Sequence, residues 1–102
     1  MQPIPLAIVG CGGMGHRHLY GLNELHQAGL NRFEIIGACD PVRDNAESLA
    51  DYAEKFFGRR PTVVSKIEEL VPLGVKAVDI TTTPRFHHSL ALQALRSILG
   101  AT

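Results

Sequence analysis

The apolar run Pro5-Leu6-Ala7-Ile8-Val9 ends directly in Gly10-Cys11-Gly12-Gly13-Met14-Gly15, and this junction constrains the chain more than any other stretch. An unbroken apolar run is the pattern of a strand covered on both faces, as in a parallel sheet. Each glycine of a G-x-G-x-x-G spacing then has its own physical duty. Gly10 permits a tight turn, Gly12 leaves the backbone open to a pyrophosphate, and Gly15 lets the following helix lie close on the strand. The helix that starts here aims unpaired N–H groups and the positive end of its dipole at the phosphates. Alone, the spacing is weak evidence. With a strand before it, a helix after it and an acid, Asp40, closing the next strand, it reads as a dinucleotide-binding βαβ unit.

The rest of the chain is compatible with that reading. Its 102 residues allow one domain or part of one, and 45% hydrophobic against 20% charged residues is an ordinary globular balance. Ten Lys plus Arg cancel ten Asp plus Glu, so the basic excess of a nucleic-acid binder is missing. No apolar run approaches the ~20 residues of a membrane span, and no basic region precedes the first apolar run as in a signal peptide. Only two cysteines occur, which leads us to expect a reducing, cytoplasmic setting.

Strand and helix patterns alternate. A first strand is expected over Pro5 to Val9, then a helix to about Ala28 with His18, Leu22, Leu25 and Ala28 along one stripe. Phe33 to Cys39 is a second buried strand. Asp40-Pro41 offers an N-cap and a proline at the first helical position for a helix carrying Ala46, Leu49, Ala50, Ala53 and Phe57, ended by Gly58. Pro61 to Val64 is a short third strand, and Ser65 to Glu68 suits a capping box for a brief helix that Pro72 terminates. Ala77 to Thr82 is the fourth strand, and Thr83-Pro84 opens a last helix with His88, Leu92, Leu95 and Leu99 in line, ending at Gly100. The expected architecture is an α/β, doubly wound parallel sheet of Rossmann type, with strand order 3-2-1-4 and helices on both faces. Its ligand crevice lies between the carboxyl ends of strands one and four.

These residues resemble the N-terminal cofactor domain of the Gfo/Idh/MocA oxidoreductases. Three stretches carry the resemblance: Ile8 to Gly15 with His18 following, Ile36-Gly37-Ala38-Cys39-Asp40, and Asp79-Ile80-Thr81-Thr82-Thr83-Pro84 with His88, Ala91, Ala94 and Leu95 after it. The resemblance implies NAD or NADP as cofactor, a sugar or polyol substrate, and hydride transfer. It also implies a Glu-Lys-Pro lysine, two further strands and an α+β substrate domain with a catalytic Lys and His. None of these occurs before Thr102, so we expect a truncated dinucleotide-binding domain over residues 1–102 that does not catalyse hydride transfer alone. A stand-alone nucleotide-binding or oligomerising module is the competing expectation.

The expected cofactor contacts are Gly10, Gly12, Gly13, Met14, Gly15, Asp40, Arg43, Thr81, Thr82, Thr83, Pro84 and His88, with no catalytic or metal-binding residue. Asp40 can cap the second helix, accept from the adenosine ribose hydroxyls, or both, and its charge favours NAD over NADP. Arg43 is either a solvated arginine or a partner for a 2′-phosphate. Thr81 to Thr83 suit a strand end and cap as well as a cofactor contact, and His88 suits a structural place beneath the Thr-Pro turn as well as a donor role. The spacings of His16, His18, His87 and His88 fit no zinc pattern. Cys11 and Cys39 read as two buried, reduced thiols. An unpaired strand-four edge, or apolar surface around Ile98 and Leu99, leads us to expect a homo-oligomer.

Overall fold

A computed structural model describes residues 3–81 of the chain. Strand β1 (Ile4–Val9) leads into helix α1 (Gly13–Gln27), then β2 (Phe33–Cys39), α2 (Arg43–Phe57), β3 (Thr62–Val64), a 3-10 helix (Ile67–Leu73) and β4 (Ala77–Ile80). The strands form one parallel sheet in the order β3-β2-β1-β4. Thr82 and the last helix expected from Thr83 onward, with Pro84 and His88, lie outside the described residues.

Two apolar layers explain why β1 is apolar without alternation. Leu6 and Ile8, with Ile35 and Ala38 of β2, meet Leu19 of α1 and Ala46, Leu49 and Ala53 of α2 on one face. Ala7 and Val9, with Ile36 and Cys39, meet Ile67, Leu70 and Val75 on the other. Among the described residues α1 and α2 therefore share one face, and the 3-10 helix with Val75 covers the other.

Strand β2 contains a bulge. Leu6 pairs with Ile35 and Ala7 with Gly37, so Ile36 has no partner of its own on β1. Ile36 and Gly37 consequently face the same layer, and the parity of the strand reverses before Cys39. A side chain at the bulge would crowd this layer: a Cβ on Gly37 would stand 2.8 Å from Leu70 Cδ2, which would have to shift, and 3.2 Å from Ala7 Cβ.

Several element boundaries differ from the sequence expectation. The buried stripe of α1 is Gly15 and Leu19, with Leu22 half-buried, while Leu25 is 44% exposed and Ala28 is exposed. The stripe is rotated because Gly15, not His18, sets which side of α1 touches the strand. Asp40 is not the N-cap of α2. Its backbone N–H still bonds to Val64 O at 3.2 Å, which ties Asp40 to the end of β3, and α2 begins only at Arg43 with Val42 as N-cap. Pro41 accordingly lies in the connecting turn and not in the helix. Gly58 ends α2 as expected, at φ 80°.

The capping carboxylate of the 3-10 helix is Glu69, not Glu68. Glu69 Oε1 accepts from the backbone N–H of Ser65 and Lys66 and from the Ser65 hydroxyl, at 3.2, 2.9 and 3.1 Å. The Ser65 N–H bond leads the effects that hold the Glu69 carboxyl below its ordinary range. Pro72 sits inside this helix, and Gly74 at φ 83° ends it. A 3-10 helix is built on i→i−3 bonds, so Pro72 forgoes only its own N–H bond in a short element.

Candidate functional site: the glycine turn between β1 and α1

The turn after Val9 is gripped from both neighbouring strands. Gly10, at φ 93°, donates its N–H to Cys39 O at the end of β2, at 2.8 Å. The Cys11 N–H donates to Asp40 Oδ2 at 2.7 Å. From the β4 side, the Thr81 N–H donates to Val9 O at 2.9 Å, and the Thr81 hydroxyl donates to Gly10 O. Gly15 closes the packing, since a Cβ there would lie 2.2 Å from Gly10 O. Helix and strand approach this closely only because Gly15 has no side chain.

At Gly12 and Gly13 the surroundings are the reverse. Among the described residues, a Cβ at either position would meet nothing within 4 Å. The first helical bond is His16 N–H to Gly12 O at 3.0 Å, and no side chain caps α1. The N–H groups of Gly13, Met14 and Gly15 therefore precede the intrahelical ladder. The first turn of α1 contains no acidic residue to compete with an anion. Met14, 52% exposed, stands at this rim.

Asp40 is 8% exposed, and both of its oxygens accept backbone N–H groups: Oδ2 from Cys11, Oδ1 from Val42 at 2.7 Å. Its first structural duty is to lock the glycine turn to the start of α2. An ionised carboxylate offers about four lone-pair sites, so these bonds leave acceptor capacity for a further donor. Arg43 is exposed and pairs with Glu47 at 3.3 Å on its own helix. Thus Gly10, Cys11, Gly15, Asp40 and Thr81 are brought together around one turn, with Gly12, Gly13 and Met14 open in front of it. Thr82, Thr83, Pro84 and His88 lie outside the described residues.

Cys11 and Cys39 are free, buried thiols. Burial, with the Asp40 carboxylate next in effect, pushes the Cys11 thiol from its ordinary 9.0 up to about 12. The same two causes raise Cys39 to about 11. Both are protonated and unreactive at neutral pH.

Two histidines of α1 have definite partners: His16, which the sequence marked only by its metal-unlike spacing, and His18, which it placed on the apolar stripe. His16 Nδ1 lies 2.9 Å from Gly12 O, and its Nε2 lies 3.0 Å from Ser48 Oγ on α2. His18 Nδ1 lies 2.9 and 2.8 Å from the two oxygens of Asp79 on β4. Among the described residues no three His, Cys, Asp or Glu side chains gather as a metal would require.

Comparison with known proteins agrees with this geometry. The family described as an oxidoreductase family with an NAD-binding Rossmann fold, Gfo/Idh/MocA, matches residues 4–98. The chain belongs to this family. It is 33% identical over 66 residues to glycosyl hydrolase family 109 protein 1 of Akkermansia muciniphila, covering 65% of this chain and 13% of that protein. In fold it is similar to GenD2 from gentamicin A biosynthesis, solved in complex with NAD, with a TM-score of 0.74 at 22% identity. That match covers 95% of this chain and 25% of GenD2. A myo-inositol dehydrogenase from Corynebacterium glutamicum gives a TM-score of 0.68 at 19% identity over 92% of this chain and 25% of its own. The Gfo/Idh/MocA chain described here thus spans a small part of the length of each of these relatives.

Proposed function

We propose that this Gfo/Idh/MocA chain binds the ADP-ribose part of NAD at the glycine turn, as the cofactor domain of a sugar or polyol oxidoreductase. One observation carries the reading: the space that the described residues leave open before Gly12 and Gly13 lies at the start of α1, where N–H groups have no helical partner. A pyrophosphate satisfies those donors and meets the positive end of the helix dipole. Gly10 and Gly15 hold the turn against the strand, and Met14 lies at the rim.

Asp40 takes the ribose hydroxyls with its remaining lone pairs, and its charge disfavours a 2′-phosphate, so NAD is preferred to NADP. Arg43, paired to Glu47, is not committed to a 2′-phosphate. Thr81, Thr82, Thr83, Pro84 and His88 follow β4 in sequence and are proposed to line the cofactor's other side. The sugar or polyol substrate is inferred from family membership, with the named inositol dehydrogenase among the structural relatives.

Calorimetry with NAD, NADP and ADP-ribose tests the reading. NAD and ADP-ribose are expected to bind alike, within about 1 kcal/mol, if the adenosine and pyrophosphate contacts dominate. NADP is expected to bind more weakly. Absence of binding by both NAD and ADP-ribose at millimolar concentration would overturn it.

A further inference from the structure

We propose that His16 is a positioning residue for phosphate binding: it tethers the Gly12 carbonyl to α2 through Ser48 and so fixes which way the Gly13 N–H points. The inference rests on the dinucleotide reading above and adds a residue which that reading does not contain.

The Gly12 carbonyl receives two donors from one residue, the His16 backbone N–H at 3.0 Å and the ring Nδ1–H at 2.9 Å. A carbonyl cannot donate, so Nδ1 carries the proton in this contact, and in the neutral ring Nε2 accepts from the Ser48 hydroxyl at 3.0 Å. The Tyr52 ring stands edge-on to the imidazole, with centroids 5.7 Å apart at 83°, and limits its rotation. Ser48 and Tyr52 both belong to α2, so the ring is held by a different element from the one that carries it.

A trans peptide is planar, with its C=O and N–H pointing in opposite directions. Holding the Gly12 carbonyl back along α1 therefore turns the Gly13 N–H away from the helix. Gly12 and Gly13 have no side chains, and among the described residues nothing lies within 4 Å of a Cβ at either position. The peptide between them is the one peptide of the turn with glycine on both sides, so even with the His16 backbone bond made it keeps more rocking freedom than a side chain would allow. The tether removes that freedom before ligand arrives, which is preorganisation of an anion donor.

The test uses the 102-residue chain, with ADP-ribose as the calorimetric probe and the thermal midpoint as a check on folding. His16→Leu is expected to weaken ADP-ribose binding by about tenfold, the scale of one lost hydrogen-bonded restraint. His16→Asn, whose amide N–H replaces Nδ1–H, is expected to recover most of that affinity. Ser48→Ala leaves the turn's own residues intact and is expected to weaken binding by about threefold. It decides the matter if His16→Leu does not fold. Unchanged affinity in both His16→Leu and Ser48→Ala would overturn the tether, and so would a loss in His16→Leu that His16→Asn fails to recover. If the native chain does not bind ADP-ribose, the dinucleotide reading itself fails and the tether falls with it.

Discussion

Single atoms separate the glycines of the turn into two kinds. A Cβ on Gly15 would strike Gly10 O at 2.2 Å, so Gly15→Ala is expected to destabilise the fold by about 1–3 kcal/mol or more, as overpacking does. A denaturant titration checks this. Among the described residues nothing lies within 4 Å of a Cβ at Gly12, and its backbone is extended at φ −78°, so Gly12→Val is expected to fold with its thermal midpoint little changed. Its branched side chain fills the space proposed for the pyrophosphate, and ADP-ribose binding is expected to vanish. Asp40→Ala strips the acceptor from two backbone N–H groups, one of them buried, at a cost of roughly 1.5–3 kcal/mol for a charge-assisted contact. Chemical denaturation measures that cost. Parallel titrations with NAD and NADP are expected to show weaker binding and a narrower preference between them.

Elements in this fold are joined by a small number of specific contacts. The bulge at Ile36 lets Gly37 and Ile36 face one layer, with Leu70 of the 3-10 helix packed onto Gly37. Gly37→Ala is expected to cost about 1–3 kcal/mol by overpacking. Leu70→Ala alone leaves a cavity costing about 2–5 kcal/mol. In the double variant the new methyl occupies part of that cavity, so the two costs are expected to add to less than their sum in a double-mutant cycle. His18 and Asp79 make the corresponding link between α1 and β4. Arg60, bonded to Asp51 and Glu47, ties the approach to β3 back onto α2, on an exposed surface where such pairs contribute little.

Across the whole molecule, the two buried thiols make stability depend on alkaline pH. Their folded values of about 12 and 11 lie above the ordinary 9.0, so the unfolded chain releases these protons first. Their contribution is complete below about pH 9 and is lost as pH rises through the folded values. Thermal midpoints are expected to fall above about pH 9, and to fall less in the Cys11→Ala, Cys39→Ala double variant. Thiol-specific labelling at neutral pH is expected only when the chain unfolds, which makes the cysteines a probe of global opening.

Much of this chain is legible in local patterns. The strands and α2's buried stripe of Ala46, Leu49, Ala50 and Ala53 follow from apolar spacing, the parallel sheet from the βα alternation, and the order 3-2-1-4 from the Rossmann pattern that the glycine turn signals. The glycine turn is legible because its requirements are steric and fall within six consecutive residues, Gly10 to Gly15. The tertiary structure alone decided the remainder. The bulge at Ile36 depends on how β2 registers with β1, and the late start of α2 depends on the bond from Asp40 N–H to Val64 O at the end of β3. Asp40 meets Cys11 across 29 positions, His16 meets Ser48 across 32, and His18 meets Asp79 across 61. Periodicity records which face of an element is apolar. It carries no information about which polar side chain on that element will meet a group on another, since that is settled only when the sheet brings the elements together.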